Sequence, residues 1–151
     1  MKVAIGCDDA AFTLKEIIKK EIAVLGHEAV DYGVHDEKPS LYPDMAVKVA
    51  RSIVAGNEER GVLLCGTGIG MSIAANKVPG IRAALCHDTY SAERAVKSNN
   101  AQIVTMGAKV IGPELAKSIL RMFLESVFKD GPSTPKVEKI MEYEREFNKQ
   151  A

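Results

Sequence analysis

The stretch Gly61-Val62-Leu63-Leu64-Cys65-Gly66-Thr67-Gly68-Ile69-Gly70-Met71-Ser72 constrains the fold more than any other part of the chain. An apolar run rich in β-formers ends on a cysteine. A glycine-rich turn follows, and Ser72-Ile73-Ala74-Ala75-Asn76-Lys77 reads as a helix start. The pattern is a strand, a tight loop and a helix. Glycines at 66, 68 and 70 let backbone approach a ligand closely. The free N–H groups of such a loop and helix start favour negative charge. Cys65 stands at the edge of this turn, and a nucleophile or base beside oriented N–H donors points to chemistry that makes an oxyanion.

The same alternation runs through the rest of the chain. Residues 2–7 read as a buried strand, and Asp8-Asp9 are placed to cap a helix over about 10–25, with Phe12, Ile17, Ile18, Ile22 and Leu25 as its stripe. A short strand over 27–32 and a polar loop over 33–41 lead to a helix opened by Tyr42-Pro43-Asp44. Beyond the glycine turn, Ile81–Cys86 reads as a strand, 88–98 as a helix and Gln102–Met106 as a strand. A helix from Pro113 and a last one over 134–148 complete the chain. Strands alternating with helices specify a parallel sheet covered on both faces. Ligands in such sheets bind at the carboxyl ends of the strands, where strand order reverses. Asp8, Cys65 and His87 each follow a strand at that end, so they can converge. The last helix carries Val137, Ile140, Met141 and Phe147 on one side, to close the core or to dock on a partner subunit.

Length and charge narrow the class. The 151 residues fit a single domain over 1–151, and 46% apolar with 26% charged residues is ordinary for a globular protein. Twenty basic residues balance twenty acidic ones, which argues against a nucleic-acid binder. No apolar run nears the roughly 20 residues that cross a bilayer, and Met1-Lys2 leads straight into a strand with no signal-peptide pattern. Cysteines 7, 65 and 86 form no C-x-x-C pair, and reduced thiols in a cytoplasmic protein are the simplest reading.

Other sites compete for the same motifs. Gly66-x-Gly68 resembles the start of a dinucleotide fingerprint, but the sixth position is Met71, and the first turn carries Asp8-Asp9, whose charge repels a pyrophosphate. A P-loop's Gly-Lys-Ser/Thr end is missing. A buried structural thiol competes with a catalytic one at Cys65. The nearby glycines and helix start favour its thiolate, whereas Cys7 and Cys86 read as structural. A metal site from Cys7, Cys65, Cys86 and His87 lacks paired ligand spacing.

The motifs Gly6-Cys7-Asp8, Asp31-Tyr32-Gly33, Tyr42-Pro43, Cys65-Gly66-Thr67-Gly68-Ile69-Gly70, Ala74-Ala75-Asn76-Lys77, Gly80-Ile81-Arg82-Ala83, Ser91-Ala92 and Asn99-Asn100-Ala101 resemble, in order and spacing, the ribose-5-phosphate isomerase B / galactose-6-phosphate isomerase family. The resemblance covers nearly the whole chain. It implies a Rossmann-like, three-layer α/β/α fold with a five-stranded parallel sheet and an extra C-terminal helix. It also implies an aldose–ketose isomerase without metal or cofactor, acting on a sugar phosphate of the ribose 5-phosphate / ribulose 5-phosphate type, with active sites at the interface of a homodimer or a dimer of dimers. Carried over, Cys65 is the base that moves a proton between C1 and C2, and Gly66, Gly68, Ile69 and Gly70 belong to the turn whose amides hold the enediolate. Asp8, Tyr42, Thr67 and Asn99 match positions that contact substrate.

Departures from the family pattern also carry information. Asp9, a further candidate substrate contact, stands where the family usually has His, and Ser98 where it has its ring-opening His. Two phosphate-binding arginines fall on Pro132 and Lys136, and a further basic position on Lys109. Lysine is a point charge without the guanidinium fork, so phosphate binding is thinned. Serine is a poor general acid–base at neutral pH. A tetrose 4-phosphate needs no such group, because the hydroxyl that would close the five-membered ring carries the phosphate. Erythrose 4-phosphate / erythrulose 4-phosphate is therefore an alternative substrate. If the substrate is still ribose 5-phosphate, His87 or Thr67 takes over ring opening. An inactive sugar-phosphate-binding partner subunit is the non-enzymatic alternative.

Overall fold

The computed structural model describes residues 1–150. Five strands, β1 (Lys2–Cys7), β2 (Glu28–Gly33), β3 (Arg60–Cys65), β4 (Ala83–Leu85) and β5 (Ile103–Gly107), alternate with helices α1 (Phe12–Val24), α2 (Tyr42–Val54), α3 (Ile69–Ala75), α4 (Thr89–Lys97) and α5 (Pro113–Glu125). A sixth helix, α6 (Thr134–Lys149), follows. The strands form one parallel sheet in the order β2-β1-β3-β5-β4. This is the α/β architecture with an added C-terminal helix that the sequence predicts.

The three inner strands, β1, β3 and β5, are buried on both faces, which is why they are largely apolar, whereas the edge strands β2 and β4 are half-buried. Successive side chains point to opposite faces. Val62 and Leu64 pack with α1, α4 and α5, while Leu63 and Cys65 pack with α2 and α3. Cys7 and Cys86 belong to the first of these two cores. Strand order reverses between β1 and β3, so a crevice opens where Asp8 follows β1 and Gly66 follows β3.

Three elements differ from the sequence expectation. Helix α3 starts at Ile69 and not Ser72, because Gly68 takes the left-handed conformation (φ 76°) and turns the chain directly into a helix. Strand β4 keeps only residues 83–85 of the expected 81–86. Ile81 is drawn into the α2/α3 core, and the Arg82 N–H is taken by the Gln102 side chain. Helix α6 buries Val137 alone, leaving Ile140 and Phe147 exposed. It is tied down by polar contacts: Glu144 accepts the Gly80 N–H at 2.9 Å, and Arg82 reaches the Met141 sulfur at 3.0 Å. Among the described residues, no helix is long and apolar enough to cross a membrane.

A buried ion pair fixes the path from β2 to α2. Lys15, with no exposed surface, donates to both Asp31 oxygens at 2.9 and 2.8 Å and to the Val34 carbonyl at 2.7 Å. Lys19 and the Gly33 N–H add further bonds to the same carboxylate. Burial acts to raise the Asp31 carboxyl, but these hydrogen bonds outweigh it and hold the group at about 2. Its unfolded value is about 3.9. The stabilisation is therefore complete above roughly pH 4 and is lost as pH falls through about 2. Asp31→Asn should cost about 3 kcal/mol at pH 7, since it leaves the buried Lys15 ammonium undercompensated. The wild-type stability should fall between roughly pH 4 and pH 2, and the variant's should fall less. Urea titrations across that range read both effects.

Candidate active site

The crevice at the strand-order reversal is a cavity walled by Asp8 from the end of β1, Tyr42 from the start of α2, and Cys65, Gly66 and Thr67 from the turn after β3. Ile69, Gly70 and Ile73 on α3 and Lys109 beyond β5 complete it. A larger groove runs along α2, past Pro43, Asp44, Val47, Lys48 and Arg51. That groove is built from one helix and gathers no strand-end residue, so the Cys65 cavity is the candidate site.

Cys65 is 5% exposed, and its sulfur accepts the Gly68 N–H at 3.1 Å. The turn that makes this contact is held from below by the β5 side of the sheet. The Ala108 N–H donates to the Cys65 carbonyl at 2.9 Å and the Lys109 N–H to the Gly66 carbonyl at 3.0 Å. The Thr105 hydroxyl donates to the Gly68 carbonyl at 2.9 Å. In a trans peptide the next N–H points opposite to the carbonyl. The N–H groups of Gly66 and Thr67 are thereby aimed away from β5, and that of Ile69 donates to the Thr67 hydroxyl oxygen at 3.3 Å. Tyr42 packs against Gly70: a Cβ there would sit 2.5 Å from its ring, so any side chain at this position would push Tyr42 aside.

The two aspartates after β1 separate. Asp8 caps the following turn through the Ala11 N–H at 3.2 Å and faces the cavity. Burial, and then the charge of Asp9, raise its carboxyl above the ordinary range. Asp9, expected to bind substrate, is not on the cavity wall. It accepts the backbone N–H and hydroxyl of Ser40 at 3.2 and 3.1 Å, and its own N–H meets the Ser40 oxygen at 3.3 Å. Its own backbone N–H, then the Ser40 hydroxyl, hold its carboxyl low, and Lys109 adds to this. Asp9 thus clasps the loop over 34–41 to the first turn.

His87 also departs from expectation. Its Nε2 accepts the Gly107 N–H at 3.0 Å, so that nitrogen is already engaged and the ring does not line the cavity. Gly68 is buried under the turn and acts through its N–H. Ser98 ends α4, and Asn99 lines a separate hollow with Asn76, Arg82 and Ile140. Lys136 is exposed on α6. One chain therefore gathers Asp8, Tyr42, Cys65, Gly66, Thr67, Ile69, Gly70 and Lys109, and leaves Ser98, Asn99 and Lys136 elsewhere. Sequence reasoning missed Ile73 and Ser40. With α3 beginning at 69, the four-residue spacing of Ile69 and Ile73 was the available sign of a shared face.

The other thiols behave differently. Burial pushes Cys7 up to about 12 and Cys86 to about 11, so both stay protonated at neutral pH. Among the described residues, no group of three or more His, Cys, Asp or Glu is placed to hold a metal ion.

Comparison with known proteins matches residues 3–140 to a family described as ribose/galactose isomerase. The chain is 54% identical over 148 residues to the D-erythrulose-4-phosphate isomerase of Pectobacterium atrosepticum, covering 97% of each. It is 49% identical over 145 residues to the ribose-5-P isomerase B of Listeria innocua, covering 96% of this chain and 98% of the relative. Its fold superposes on Clostridium thermocellum ribose-5-phosphate isomerase B with a TM-score of 0.95 at 41% identity, covering 97% of this chain and 99% of that one.

Two outcomes follow from this geometry. Brief iodoacetamide treatment at pH 7 should label Cys65 before Cys7 or Cys86, as peptide mass spectrometry reads; earlier labelling of either buried thiol would contradict the assignment. Asp9→Ala should free the loop over 34–41, so that limited proteolysis cuts there several-fold faster than in the wild type.

Proposed function

Because this chain belongs to the ribose/galactose isomerase family, we propose that the Cys65 cavity interconverts an aldose phosphate and its ketose through an enediolate. The chain is an aldose–ketose isomerase of a phosphorylated sugar, as its relatives are. The observation that carries the site assignment is that one turn presents both the thiol and oriented N–H donors: the Gly68 N–H meets the Cys65 sulfur, while the carbonyls of Cys65, Gly66 and Gly68 are all taken by the β5 side.

The Cys65 thiolate takes the proton from C2 of the open-chain aldose. The C–H electron pair becomes the C1–C2 double bond, and the carbonyl pair moves onto O1. The N–H groups of the turn hold the negative charge that develops there, which is where such donors act most strongly. The same sulfur returns the proton to C1. The hydroxyl proton on O2 must reach O1, and Thr67 is the group that carries it: its oxygen already accepts the Ile69 N–H at 3.3 Å, which leaves its O–H free to donate. Lys109 receives the phosphate as a point charge, Asp8 takes a substrate hydroxyl, and Tyr42 forms the wall.

A second copy of this chain completes the site in this reading. Ser98, Asn99 and Lys136 lie off the Cys65 cavity, and Leu41, Tyr42, Ile69 and Ile73 expose apolar surface on or beside it. A homodimer, or a dimer of dimers, would cover that surface and bring in those residues. All three cysteines are free, which supports a reducing, cytoplasmic compartment.

Ribose 5-phosphate and ribulose 5-phosphate are the first substrate pair. A second reading, erythrose 4-phosphate and erythrulose 4-phosphate, is favoured by a specific observation. Ser98 replaces the family's ring-opening histidine, and the Nε2 of His87, the available imidazole, is already bonded to Gly107. A four-carbon substrate needs no ring opening.

Initial rates on ribose 5-phosphate and erythrulose 4-phosphate, with Cys65→Ala as the blank, separate the readings. Cys65→Ala should lose at least a thousandfold in kcat on either substrate. A Cys65→Ala protein that still turned over would remove the base assignment. Mixing inactive Cys65→Ala with inactive Asn99→Ala should restore about a quarter of wild-type activity after subunit exchange, because half the dimers are mixed and each carries one intact site. No recovery would place the whole site within one chain.

A further inference from the structure

Thr105 lies in β5 with no exposed surface, between the apolar residues Val104 and Met106. A hydroxyl in a dry core is unfavourable unless it is bonded. Here it donates to the Gly68 carbonyl at 2.9 Å, reaching a residue 37 positions earlier in the chain. Valine would fill almost the same space, so the bond, and not the shape, distinguishes threonine at this position.

The acceptor is significant. Gly68 is the residue whose N–H meets the Cys65 sulfur. Its carbonyl also accepts the Ser72 N–H at 3.1 Å, which opens the hydrogen-bond ladder of α3. A turn built on glycines at 66, 68 and 70 has few torsional restraints of its own, so its conformation must be imposed from outside. Two of the restraints are backbone N–H groups, those of Ala108 and Lys109. The third is the Thr105 side chain.

We propose that Thr105 is a positioning residue for the reaction: its hydroxyl fixes the Gly68 carbonyl, and with it both the residue whose N–H supports the Cys65 sulfur and the following peptide, whose Ile69 N–H meets the Thr67 hydroxyl oxygen. Thr105 touches neither substrate nor sulfur and acts through Gly68. The inference rests on the reading of Cys65 as the base.

Two pairs of side chains that differ by the hydroxyl test it, Thr105 against Thr105→Val and Thr105→Ser against Thr105→Ala. The readouts are kcat, KM and the rate of Cys65 alkylation by iodoacetamide at pH 7, the last needing no substrate. Val and Ala should lose roughly tenfold in kcat, with KM changed less than about twofold, and should slow Cys65 alkylation several-fold, since a weakened Gly68 N–H bond to the Cys65 thiolate is of that size. Ser should stay within about threefold of wild type on all three. Wild-type kcat and alkylation in Thr105→Val would overturn the proposal, as would a Ser variant no better than Ala, which would mean that the methyl group matters and the hydroxyl does not. If Val fails to fold, the Ser/Ala pair decides. Turnover by Cys65→Ala would instead remove the base assignment, and the alkylation comparison would still report whether Thr105 holds the turn.

Discussion

The site depends on the hydrogen bonds that tie the carbonyls of the Cys65–Gly68 turn to the β5 side of the sheet. They exist because β5, and not β4, is the neighbour of β3. In the parallel register Cys65 stands opposite Gly107, which brings the N–H groups of Ala108 and Lys109 to the carbonyls of Cys65 and Gly66. With the carbonyls taken from below, the N–H groups of the turn point the other way, that of Gly68 to the Cys65 sulfur and that of Ile69 to Thr67. Strand order thus becomes electrostatics because the C=O and N–H of one peptide unit point in opposite directions. The same step places a cation: Lys109 donates its N–H to Gly66, lays its aliphatic stem beside that glycine and lines the cavity.

Charge at the mouth of the crevice is sorted by geometry and not by composition. Two adjacent carboxylates after β1 would oppose an anionic substrate if both faced it. Asp9 is instead spent on Ser40, where hydrogen bonds keep it ionised and hold the loop leading to Tyr42. Asp8 stays on the wall with a carboxyl raised by burial and by Asp9, and is correspondingly less committed to the charged form. Within one chain that leaves Lys109 as the lysine on the cavity wall. A lysine there supplies attraction without the bidentate geometry of arginine.

Local signals were the legible ones. The strand, glycine turn and helix around Cys65 could be read because apolar runs and glycines act within a few residues, and Asp8 and the Pro-led start of α2 follow the same logic. The start of α3 was displaced by three residues because Gly70 reads as loop in sequence, although in the structure its missing side chain makes room for Tyr42 in the first helical turn. That shift concealed Ile73. The role of Asp9 depends on Ser40, 31 positions away, and that of Thr105 on Gly68, 37 positions away. Neither separation leaves a periodic trace. The rule that brings strand ends together correctly predicted that Asp8 and Cys65 meet. It failed for His87 because it fixes where the backbone ends and not which way a side chain points, and the imidazole turned to Gly107. The expectations for Ser98, Asn99 and Lys136 came from resemblance alone, and no single-chain geometry brings them to Cys65.

The three cysteines show what converts a residue type into a reactive group. Cys7 ends β1, Cys65 ends β3, and Cys86 directly follows β4, so all three stand at the same edge of one sheet. Cys7 and Cys86 point into the core beneath α1, α4 and α5, where burial pushes their thiols to about 12 and about 11. Cys65 points to the other face, and the chain after it doubles back through Gly68 to present an N–H to its sulfur. The period-two alternation of the strand selects the face. The left-handed glycine three residues later supplies the donor, and the ties to β5 keep the donor in place. None of these steps is a property of cysteine itself. Moving the thiol one position along β3 would retain its burial and its strand end but aim it at the opposite core, away from the turn that gives it a role.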